Sequence, residues 1–366
     1  MKTPIGGSTI LPAPLAMASA IALLLAAAPG LASEAGPLPP SPVITGVEWA
    51  PKDSIIYMAD DSDNWPLAWA DDGHLYTAYG DGWGFEPHID IKLSLGFARV
   101  SGDPPDITAV NIRSETGERL GDGRSGKKAS GLIQVDGVFY MFVRNADGAG
   151  NETTLAWSDD YLETWTWADW TIPELGFCAF VDYGPNYEGA RDAYVYFLSP
   201  DTPSAYEETD DVILGRAPKD GIADRGAYEF FAGFNEEGAP VWSRDISERR
   251  PVAALPGCAN RLDVSYNPGL GRYFMTMRSR ARAGGRDQFS IYDAPAPWGP
   301  WTTVYYTETW GDETLADMHF QEGWGESARI PPKWISEDGQ SFHLVFAGRD
   351  HFAVRAATLT VAEPGE

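Results

Sequence analysis

A β-hairpin pattern that recurs five times constrains the fold more than any other feature of this sequence. Each copy has an apolar strand, a turn that contains glycine and a second strand rich in aromatic residues. The turns fall near residues 72, 137, 188, 269 and 338, a spacing that suits a four-stranded sheet with its loops. Two packed sheets remain an alternative, but they would not require the same hairpin to recur. The pattern therefore predicts an all-β fold, a five-bladed β-propeller.

Composition and the chain ends agree with this fold. The 366 residues include 14 Trp, 16 Tyr, 16 Phe, 39 Gly and 28 Pro, and we find no long stretch of helical periodicity. Strand-like segments at 43–49 and 352–359 are expected to pair and close the ring, which removes exposed sheet edges. We expect a single propeller domain over residues 43–366.

The N-terminal residues carry an export pattern. Lys2 precedes an apolar run, and small residues follow it at Ala32 and Ser33, as in a secretory signal peptide. We predict a signal peptide over residues 1–33, with cleavage near Ala32 or Ser33, and a proline-rich linker over 34–42. The mature protein is expected outside the cytoplasm, extracellular or periplasmic.

Charge and metal-ligating residues limit the partners. A net charge of −26 argues against nucleic acid and anionic membranes, because both repel a negative surface. The five histidines lack metal-ligand spacing, so we expect no metal and no cofactor, although an ion in a central channel stays open. Cys178 and Cys258 either pair or form two separate buried thiols. We expect a monomer with a carbohydrate substrate.

The first hairpin carries an aspartate at each end. Asp63 and Asp81 are equally distant from its turn at Asp71-Asp72-Gly73. If the arms pair symmetrically, the two aspartates face each other with Cα atoms on the order of 5 Å apart. Proximity of two anions raises the pKa of one carboxyl, so the pair suits acid–base chemistry. The alternative is that both aspartates only cap strand ends.

The corresponding ends of the other hairpins line the same rim of a propeller, and only the first hairpin has a carboxylate pair there. The second hairpin places Lys128 opposite Asn145 or Arg144. The fourth places Arg261 or Asn260 opposite Arg278, and the fifth places Glu326 or Ser327 opposite Asp350. The third hairpin places Cys178 and Ser199 at the rim. The candidates for substrate binding at this rim are Lys128, Asn145, Arg261, Arg278, Glu326 and Asp350.

Aromatic and basic residues near these positions suggest a sugar ligand. Trp65, Trp83 and Trp324 are candidate stacking platforms, and ordinary packing is the alternative for each. Arg124 and Lys127 could receive an acidic or polyhydroxylated sugar, or form a solvated loop cluster.

One outer connection resembles an Asp-box, the Ser-x-Asp-x-Gly-x-Thr-Trp turn of propeller glycosidases. Ser158, Asp160, Thr164 and Trp165 match this pattern, whereas Leu162 stands in place of the glycine. The turn is structural in those proteins and lies away from the active site.

Further motifs resemble a known family. The stretches 79–83, 228–233, 264–273 and 331–336, together with Asp63, look like the DUF4185 group of secreted five-bladed propellers, whose members include endo-D-arabinanases. The resemblance covers most of the mature chain. It implies that Asp63 and Asp81 are the catalytic pair and that the reaction inverts the anomeric configuration.

These observations predict a secreted glycoside hydrolase that cleaves an arabinan-like or other bacterial cell-surface glycan with two aspartates. One carboxylic acid protonates the leaving oxygen while the other carboxylate activates water or attacks directly. A polysaccharide lyase on the same scaffold is an alternative, since Lys128, Arg261 and Arg278 could neutralise a uronate. A non-catalytic glycan-binding propeller is the other alternative.

Overall fold

The computed structural model describes residues 1, 36–279, 288–308, 310, 327–348 and 350–363. Except for Met1, the predicted signal peptide lies outside the described residues, as do Trp324 and Glu326. Within these ranges no helix is long and apolar enough to cross a membrane. Short 3-10 helices lie at Lys52–Ser54, Gly123–Ser125, Pro185–Tyr187, Lys219–Gly221, Arg225–Ala227, Ile246–Glu248 and Pro332–Trp334.

The strands follow one another in antiparallel sheets. The chain opens with β1 (Ile44–Trp49) and β2 (Ile56–Met58), which both pair with the last strand of the chain. The first sheet then contains, in spatial order, β3 (Leu67–Trp69), β4 (Leu75–Tyr79), β5 (Gly96–Ser101) and β6 (Thr108–Ile112). The second contains β7 (Lys128–Val135), β8 (Val138–Arg144), β9 (Thr153–Ser158) and β10 (Thr166–Ile172).

The remaining strands repeat this meander with additions. The third group contains β11 (Ala179–Asp182), β12 (Tyr194–Pro200), β13 (Thr209–Pro218), β14 (Glu229–Phe234) and β15 (Pro240–Ser243), and β16 (Pro251–Ala259) pairs with β13. The fourth contains β17 (Arg261–Asn267), β18 (Arg272–Ser279), β19 (Gln288–Ala294) and β20 (Thr302–Thr307). The last contains β21 (Ala328–Arg329), β22 (Ser341–Gly348) and β23 (His351–Val361), with β1 outermost.

The chain ends close the last sheet as predicted. Antiparallel pairing joins β1 to β23, with Glu48 opposite Thr358 and Trp49 opposite Ala357. The innermost strands β11 and β17 run parallel to each other, with Val181 opposite Val264. Successive antiparallel meanders whose first strands meet side by side, closed by the two ends of the chain, form a β-propeller. The prediction of an all-β propeller is confirmed, and the number of five blades stays a prediction.

The predicted inner hairpins form, with one difference in the last. Asp136 and Gly137 have φ angles of 49° and 86°, the left-handed values that a two-residue hairpin turn requires between β7 and β8. In the last hairpin, the first strand is expected directly before the turn near 338, over residues 333–336. Of these residues only Ile335 forms a β-bridge, with Phe342. Residues 332–334 are instead a 3-10 helix, because Pro331 and Pro332 cannot donate ladder hydrogen bonds. The paired first strand is β21, earlier in the chain.

Neighbouring sheets are joined by aromatic packing and by polar side chains of the inner strands. Phe142 stacks on Phe180 with ring centroids 4.2 Å apart. The Ser130 hydroxyl of β7 donates to the Cys178 carbonyl at 2.7 Å, and Thr276 of β18 donates to the Ala328 carbonyl at 2.5 Å. These contacts fix the relative positions of strand ends that are far apart in sequence.

The segment before β1 lies along β20. Pro40 forms a parallel bridge with Thr303, and the Ser41 amide donates to the Thr303 carbonyl at 2.8 Å. This part of the predicted linker is therefore held against the fourth sheet.

The two cysteines are separate buried thiols. Burial raises the pKa of the Cys178 thiol to about 12, which keeps it protonated and unreactive. The alternative of a disulfide between Cys178 and Cys258 is wrong.

The turn between β9 and β10 has the hydrogen bonds of an Asp-box. The Asp160 carboxylate accepts from the Thr164 amide at 2.8 Å and from its hydroxyl at 2.6 Å. The Ser158 hydroxyl donates to Asp160 at 2.8 Å and accepts from the Leu162 amide at 3.0 Å. Leu162 has a φ of 74°, so a fully buried leucine occupies the left-handed position where the pattern has glycine.

Candidate active site

The first hairpin changes register before it reaches its open end. Leu67 faces Thr77 and Trp69 faces Leu75, as symmetric pairing predicts. Asp63, however, pairs with Gly80, with the Asp63 amide donating to the Gly80 carbonyl at 3.0 Å and the reverse bond at 2.8 Å. The first arm contains one extra residue, a β-bulge. The expectation that Asp63 and Asp81 face each other directly is wrong by one position.

The bulge is held by a contact with the second sheet. Asn64 has a φ of 67°, and its side-chain amide donates to the Ala129 carbonyl of β7 at 2.5 Å. This long-range bond stabilises the left-handed conformation of Asn64. The register at Asp63 therefore depends on packing between sheets.

Gly80 leaves space for the Asp63 carboxyl group. A β-carbon at position 80 would lie 3.0 Å from Asp63 Oδ1 and 3.2 Å from the Ser94 carbonyl oxygen. Because Gly80 has no side chain, the carboxyl group of Asp63 can lie over it. Asp63 is 9% exposed.

Asp81 begins a tight loop that leads to Trp83. Its φ is 44°, and a β-carbon on Gly82 would clash with the Asp61 carbonyl and the Ser62 side chain. The Ser62 hydroxyl accepts from the amides of Trp83, at 3.1 Å, and Gly84, at 2.8 Å. The loop is therefore positioned by the Ser62 side chain and by close packing against the Asp61 carbonyl.

Asp81 also forms an ion pair with the second sheet. Lys128, the first residue of β7, is 2% exposed and directs its ammonium group at Asp81 Oδ1. The Asp81 side chain is 23% exposed, so one face of its carboxylate reaches solvent while the other contacts Lys128. A buried ammonium next to a carboxylate supplies a fixed positive charge at this point.

The two aspartates line one cavity of 410 Å³. Asp350 also lines it, from the turn between β22 and β23, where its φ is 52° and its carbonyl accepts from the Ser62 amide at 2.8 Å. The indole of Trp83 is half-buried and faces the same space. The full lining is Asp61, Ser62, Asp63, Asp81, Trp83, Lys92 and Asp350.

Trp65 is a core residue and not a stacking platform. Its side chain is fully buried among Tyr79, Phe85 and Phe352, with ring centroids 6.1, 5.4 and 5.3 Å away. Its indole donates to the His351 carbonyl at 3.1 Å. Hydrophobic packing between the first and last sheets explains its position, so the prediction that Trp65 binds substrate is wrong.

Asn145 holds loops together and Arg144 takes the rim position opposite Lys128. Arg144 pairs with Lys128 across β7 and β8. Asn145, fully buried with a φ of 61°, donates to the Gly126 carbonyl at 2.7 Å and to the Tyr206 hydroxyl at 3.0 Å. The NH2 group of its side chain is thus occupied by loop contacts, and a role of Asn145 in substrate binding stays a prediction.

The fourth hairpin places its two arginines as predicted. Arg261 faces Arg278 across β17 and β18, and both side chains are buried. Of the remaining predicted rim residues, Trp324 and Glu326 lie outside the described residues.

Tyr206 is a rim residue that sequence reasoning missed. It lies between β12 and β13. Symmetric pairing in the third hairpin places only Ser199 of this region at the rim, and Tyr206 comes later in the chain. The guanidinium carbons of Arg124, Arg261 and Arg144 lie 4.5, 5.4 and 5.6 Å from its ring centroid. An aromatic residue shortly after the second strand of a hairpin is the only signal for it in the sequence.

Buried charges continue into the centre of the propeller. Arg329 of β21 forms an ion pair with Asp263 of β17 and donates to the Ser130 carbonyl at 3.4 Å. Burial raises the pKa of Asp182 to about 8, and the nearby negative charge of Asp263 adds to this effect. The described residues contain no group of three or more His, Cys, Asp or Glu side chains placed to hold a metal ion.

Comparison with solved structures finds proteins that resemble this chain at low sequence identity. An α-L-arabinofuranosidase from Podospora anserina, solved with cellotriose, has a TM-score of 0.46 and 11% identity over 84% of this chain and 92% of its own. A GH43_1 enzyme from Xanthomonas citri has a TM-score of 0.44 and 14% identity over 86% of this chain and 93% of its own. A GH32 β-fructofuranosidase from Bombyx mori has a TM-score of 0.45 and 12% identity over 86% of this chain and 63% of its own.

No protein-family model and no curated protein sequence matches the chain. Membership of the DUF4185 group therefore stays a prediction from the motifs. Because the TM-scores of the three structures are below 0.5 and their identities below 25%, no activity or substrate is inferred from them.

Proposed function

We propose that this protein is a secreted glycoside hydrolase in which Asp63 and Asp81 are the catalytic carboxyl groups. The observation that carries the proposal is that both aspartates line one 410 Å³ cavity together with the half-buried indole of Trp83. Two carboxyl groups beside an aromatic platform are the parts that glycoside hydrolysis requires.

The surroundings of the two aspartates suit different roles. Lys128 places a positive charge against Asp81, which suits a carboxylate that acts in its ionised form, as a general base does. Asp63 is more deeply buried, and its carboxyl group lies over Gly80. We assign the general acid to Asp63 and the general base to Asp81.

The proposed reaction follows from these roles. Asp63 donates its proton to the glycosidic oxygen as the bond to the anomeric carbon breaks, and Asp81 removes a proton from the water that attacks this carbon. Attack from the opposite face inverts the anomeric configuration, as the resemblance to the DUF4185 arabinanases implies. An arabinan-like or other bacterial cell-surface glycan is the proposed substrate class.

Substitution of each aspartate tests the mechanism. Purified wild type is first screened against bacterial and plant polysaccharides for reducing-end release. On any glycan that is cleaved, Asp63→Asn and Asp81→Asn should each lower kcat by roughly 10²–10⁴-fold with thermal unfolding close to that of the wild type. Asp90→Asn, an exposed aspartate outside the cavity, is the control and should retain full activity.

The alternatives give different readouts in the same assay. Unchanged reducing-end release by both variants contradicts the two-aspartate mechanism. A product that absorbs ultraviolet light through a new C=C bond identifies a lyase, and binding without any cleavage identifies a glycan-binding propeller. Proton NMR of the first product formed gives its anomeric configuration, and retention contradicts the inverting assignment.

Export is proposed on the N-terminal pattern alone. Sequencing the N-terminus of protein collected outside the cytoplasm should place the first residue near position 33 or 34. An N-terminus at Met1 on the mature protein contradicts the proposed cleavage.

A further inference from the structure

The aromatic ring of the acidic cavity comes from one loop. Among the described residues that line this cavity, Trp83 is the only aromatic one, and the others carry carboxylate, hydroxyl or ammonium groups. Trp83 lies in the connection between β4 and β5, and we call residues 83–92 of this connection the rim loop. The position of the rim loop therefore decides where the cavity presents a surface on which a sugar ring can stack.

The rim loop is closed at its base. Gly82 and Leu93, which flank the loop, form an antiparallel bridge, with the Gly82 amide donating to the Leu93 carbonyl at 3.0 Å and the reverse bond at 2.9 Å. Residues 86–88 are exposed, whereas Gly84 and Phe85 are buried. The contacts of its first residues therefore hold the loop in place.

Asn111 of β6 binds the backbone of these first residues. Its side-chain NH2 group donates to the Trp83 carbonyl at 2.7 Å and to the Phe85 carbonyl, and it lies 3.3 Å from the Pro87 carbonyl. Its side-chain oxygen accepts from the Phe85 amide at 2.8 Å. Its backbone amide donates to the Glu86 carbonyl at 3.3 Å. One residue of the outermost strand thus contacts four residues of the rim loop.

The backbone of the rim loop explains why an asparagine occupies this strand. Asparagine is depleted in strands, yet Asn111 lies within β6, where it pairs with Ala98. An asparagine side chain combines an acceptor with two donors in one planar group, which suits a peptide amide that lies between carbonyls. Gly84 has a φ of 68°, and a β-carbon there would clash with the Asn111 side-chain oxygen and the Tyr79 ring. The glycine thus allows the loop to approach Asn111 closely.

Trp83 is held on both sides of its own backbone. Its amide donates to the Ser62 hydroxyl at 3.1 Å, and its carbonyl accepts from Asn111. Phe85 anchors the loop separately by packing against Phe352 of the last sheet, with ring centroids 5.4 Å apart. Loss of Asn111 would therefore release the carbonyl side of Trp83 while the anchor at Phe85 keeps the loop on the protein.

We propose that Asn111 is a positioning residue that acts through the rim loop: it fixes Trp83 at the cavity and thereby sets the affinity for the glycan. The inference rests on the proposed function for the identity of the ligand as a glycan. An aromatic platform that is already in place costs no free energy of ordering when the sugar binds. Asn111 does not line the cavity, so its loss weakens binding and leaves the chemistry of Asp63 and Asp81 nearly unchanged.

Hydrogen exchange read by mass spectrometry tests the hold on the loop without any ligand. Asn111→Ala removes the acceptor of the Phe85 amide, so exchange within residues 83–88 should become about tenfold faster. Peptides from β4 and β5 should exchange as in the wild type. Unchanged exchange within residues 83–88 overturns the proposal, whatever the protein cleaves.

Asn235→Ala is the matched control. Asn235 is an exposed asparagine that holds the turn between β14 and β15, where its side-chain oxygen accepts from the amides of Glu237 and Ala239 at 3.1 and 2.8 Å. Its substitution should speed exchange in that turn alone and leave glycan cleavage at the wild-type level.

Steady-state kinetics test the effect on binding. The probe is arabinan, or the glycan of the polysaccharide screen that the wild type cleaves. Asn111→Ala should raise KM about tenfold and change kcat by less than about threefold. Asn111→Asp has nearly the same size and keeps the acceptor, but its second oxygen repels the carbonyls of Trp83 and Phe85, so the same increase in KM is expected. A fall in kcat at unchanged KM in both variants overturns the proposal.

A double-variant cycle shows whether Asn111 acts through Trp83. Trp83→Ala should raise KM at least as much as Asn111→Ala, and the double variant should have the KM of Trp83→Ala alone, because the ring that Asn111 positions is already absent. A further tenfold increase in the double variant would show that Asn111 acts by another route and overturns the proposal.

The outcomes separate this inference from the proposed function. Where Asp63→Asn and Asp81→Asn leave cleavage unchanged but the Asn111 and Trp83 variants raise KM non-additively, the two-aspartate mechanism fails and the positioning role stands. Where both aspartates prove catalytic and Asn111→Ala has the KM of the wild type, the positioning role fails and the mechanism stands.

Discussion

Gly80 and Asp63 face each other at the open end of the first hairpin, and the absence of a side chain at Gly80 makes room for the Asp63 carboxyl group. A β-carbon there would approach Asp63 Oδ1 to 3.0 Å, closer than most β-carbon contacts in folded proteins. At the level of single residues, the geometry of the site thus depends on a glycine that performs no chemistry.

Gly80→Ala is expected to displace the Asp63 carboxyl group. A misplacement of about 1 Å lowers turnover by roughly 100-fold, and a small loss of stability is expected because the new β-carbon also meets the Ser94 carbonyl oxygen at 3.2 Å. Gly46→Ala is the control, since its new β-carbon would meet Thr360 at an ordinary 3.5 Å on β1. Equal turnover of wild type and Gly80→Ala contradicts the placement of Asp63.

Asp182 gives a pH dependence to stability. Its pKa is raised to about 8 by burial, against about 3.9 in an unfolded chain. The folded state therefore keeps a proton that the unfolded state has released, and this contribution to stability is complete below pH 4 and lost as pH rises toward 8. Asp182→Asn cannot ionise and still accepts a bond from the Gly184 amide.

The unfolding free energy of Asp182→Asn minus that of the wild type should rise by roughly 3 kcal/mol between pH 4 and pH 7. Urea denaturation at a series of pH values measures it. Asp90→Asn, an exposed aspartate, should give a flat difference, and a flat difference for Asp182→Asn would show that its carboxyl group ionises normally.

At the scale of structural elements, the Asp-box turn keeps its conformation although its glycine is replaced. Four side-chain hydrogen bonds of Ser158 and Asp160 hold it, and Trp165 donates to the Leu162 carbonyl at 3.1 Å. The buried side chain of Leu162 packs in a core cluster shared by the first two sheets. Packing thus offsets the strain of a left-handed leucine, which is about 1 to 2 kcal/mol.

Two substitutions of Leu162 separate these effects. Leu162→Ala loses the buried side chain and keeps the backbone strain, so it should lower the unfolding free energy by about 2 to 5 kcal/mol. Leu162→Gly loses the same packing and relieves the strain, so it should be about 1 kcal/mol more stable than Leu162→Ala. Alanine variants are usually more stable than glycine variants at the same position, and here the order of stability is reversed. Glycan cleavage should be unchanged in both variants, and the usual order would contradict the strain.

At the scale of the whole molecule, pairing of β1 with β23 closes the propeller. A chain that starts at Gly36 keeps β1 and its contacts with β20, and should unfold at the temperature of the full-length protein. A chain that starts at Ala50 lacks β1 and exposes the edge of β23, so its unfolding temperature should fall on the order of 10 °C, with increased aggregation. Differential scanning calorimetry compares the two, and equal temperatures would show that β1 does not stabilise the ring.

Local patterns in the sequence determined much of this architecture. Alternating apolar residues around Gly-containing turns produced the inner hairpins, because side-chain alternation and turn conformation depend on residues close together in the chain. The same patterns identified the pairing of the two chain ends, the Asp-box and the rim positions of Lys128, Arg261 and Arg278.

Contacts between the sheets, and not local patterns, bring these residues into one site. The bulge at Asn64 depends on the Ala129 carbonyl, Trp65 is buried against Phe352, and Tyr206 meets arginines of two other sheets. In each case the partner lies more than 50 residues away in the chain, where a register can shift by one without any local signal. Local patterns were sufficient for most inner strands and their order, except the first strand of the last hairpin, whereas packing between the sheets fixed the register at Asp63 and the surroundings of the rim.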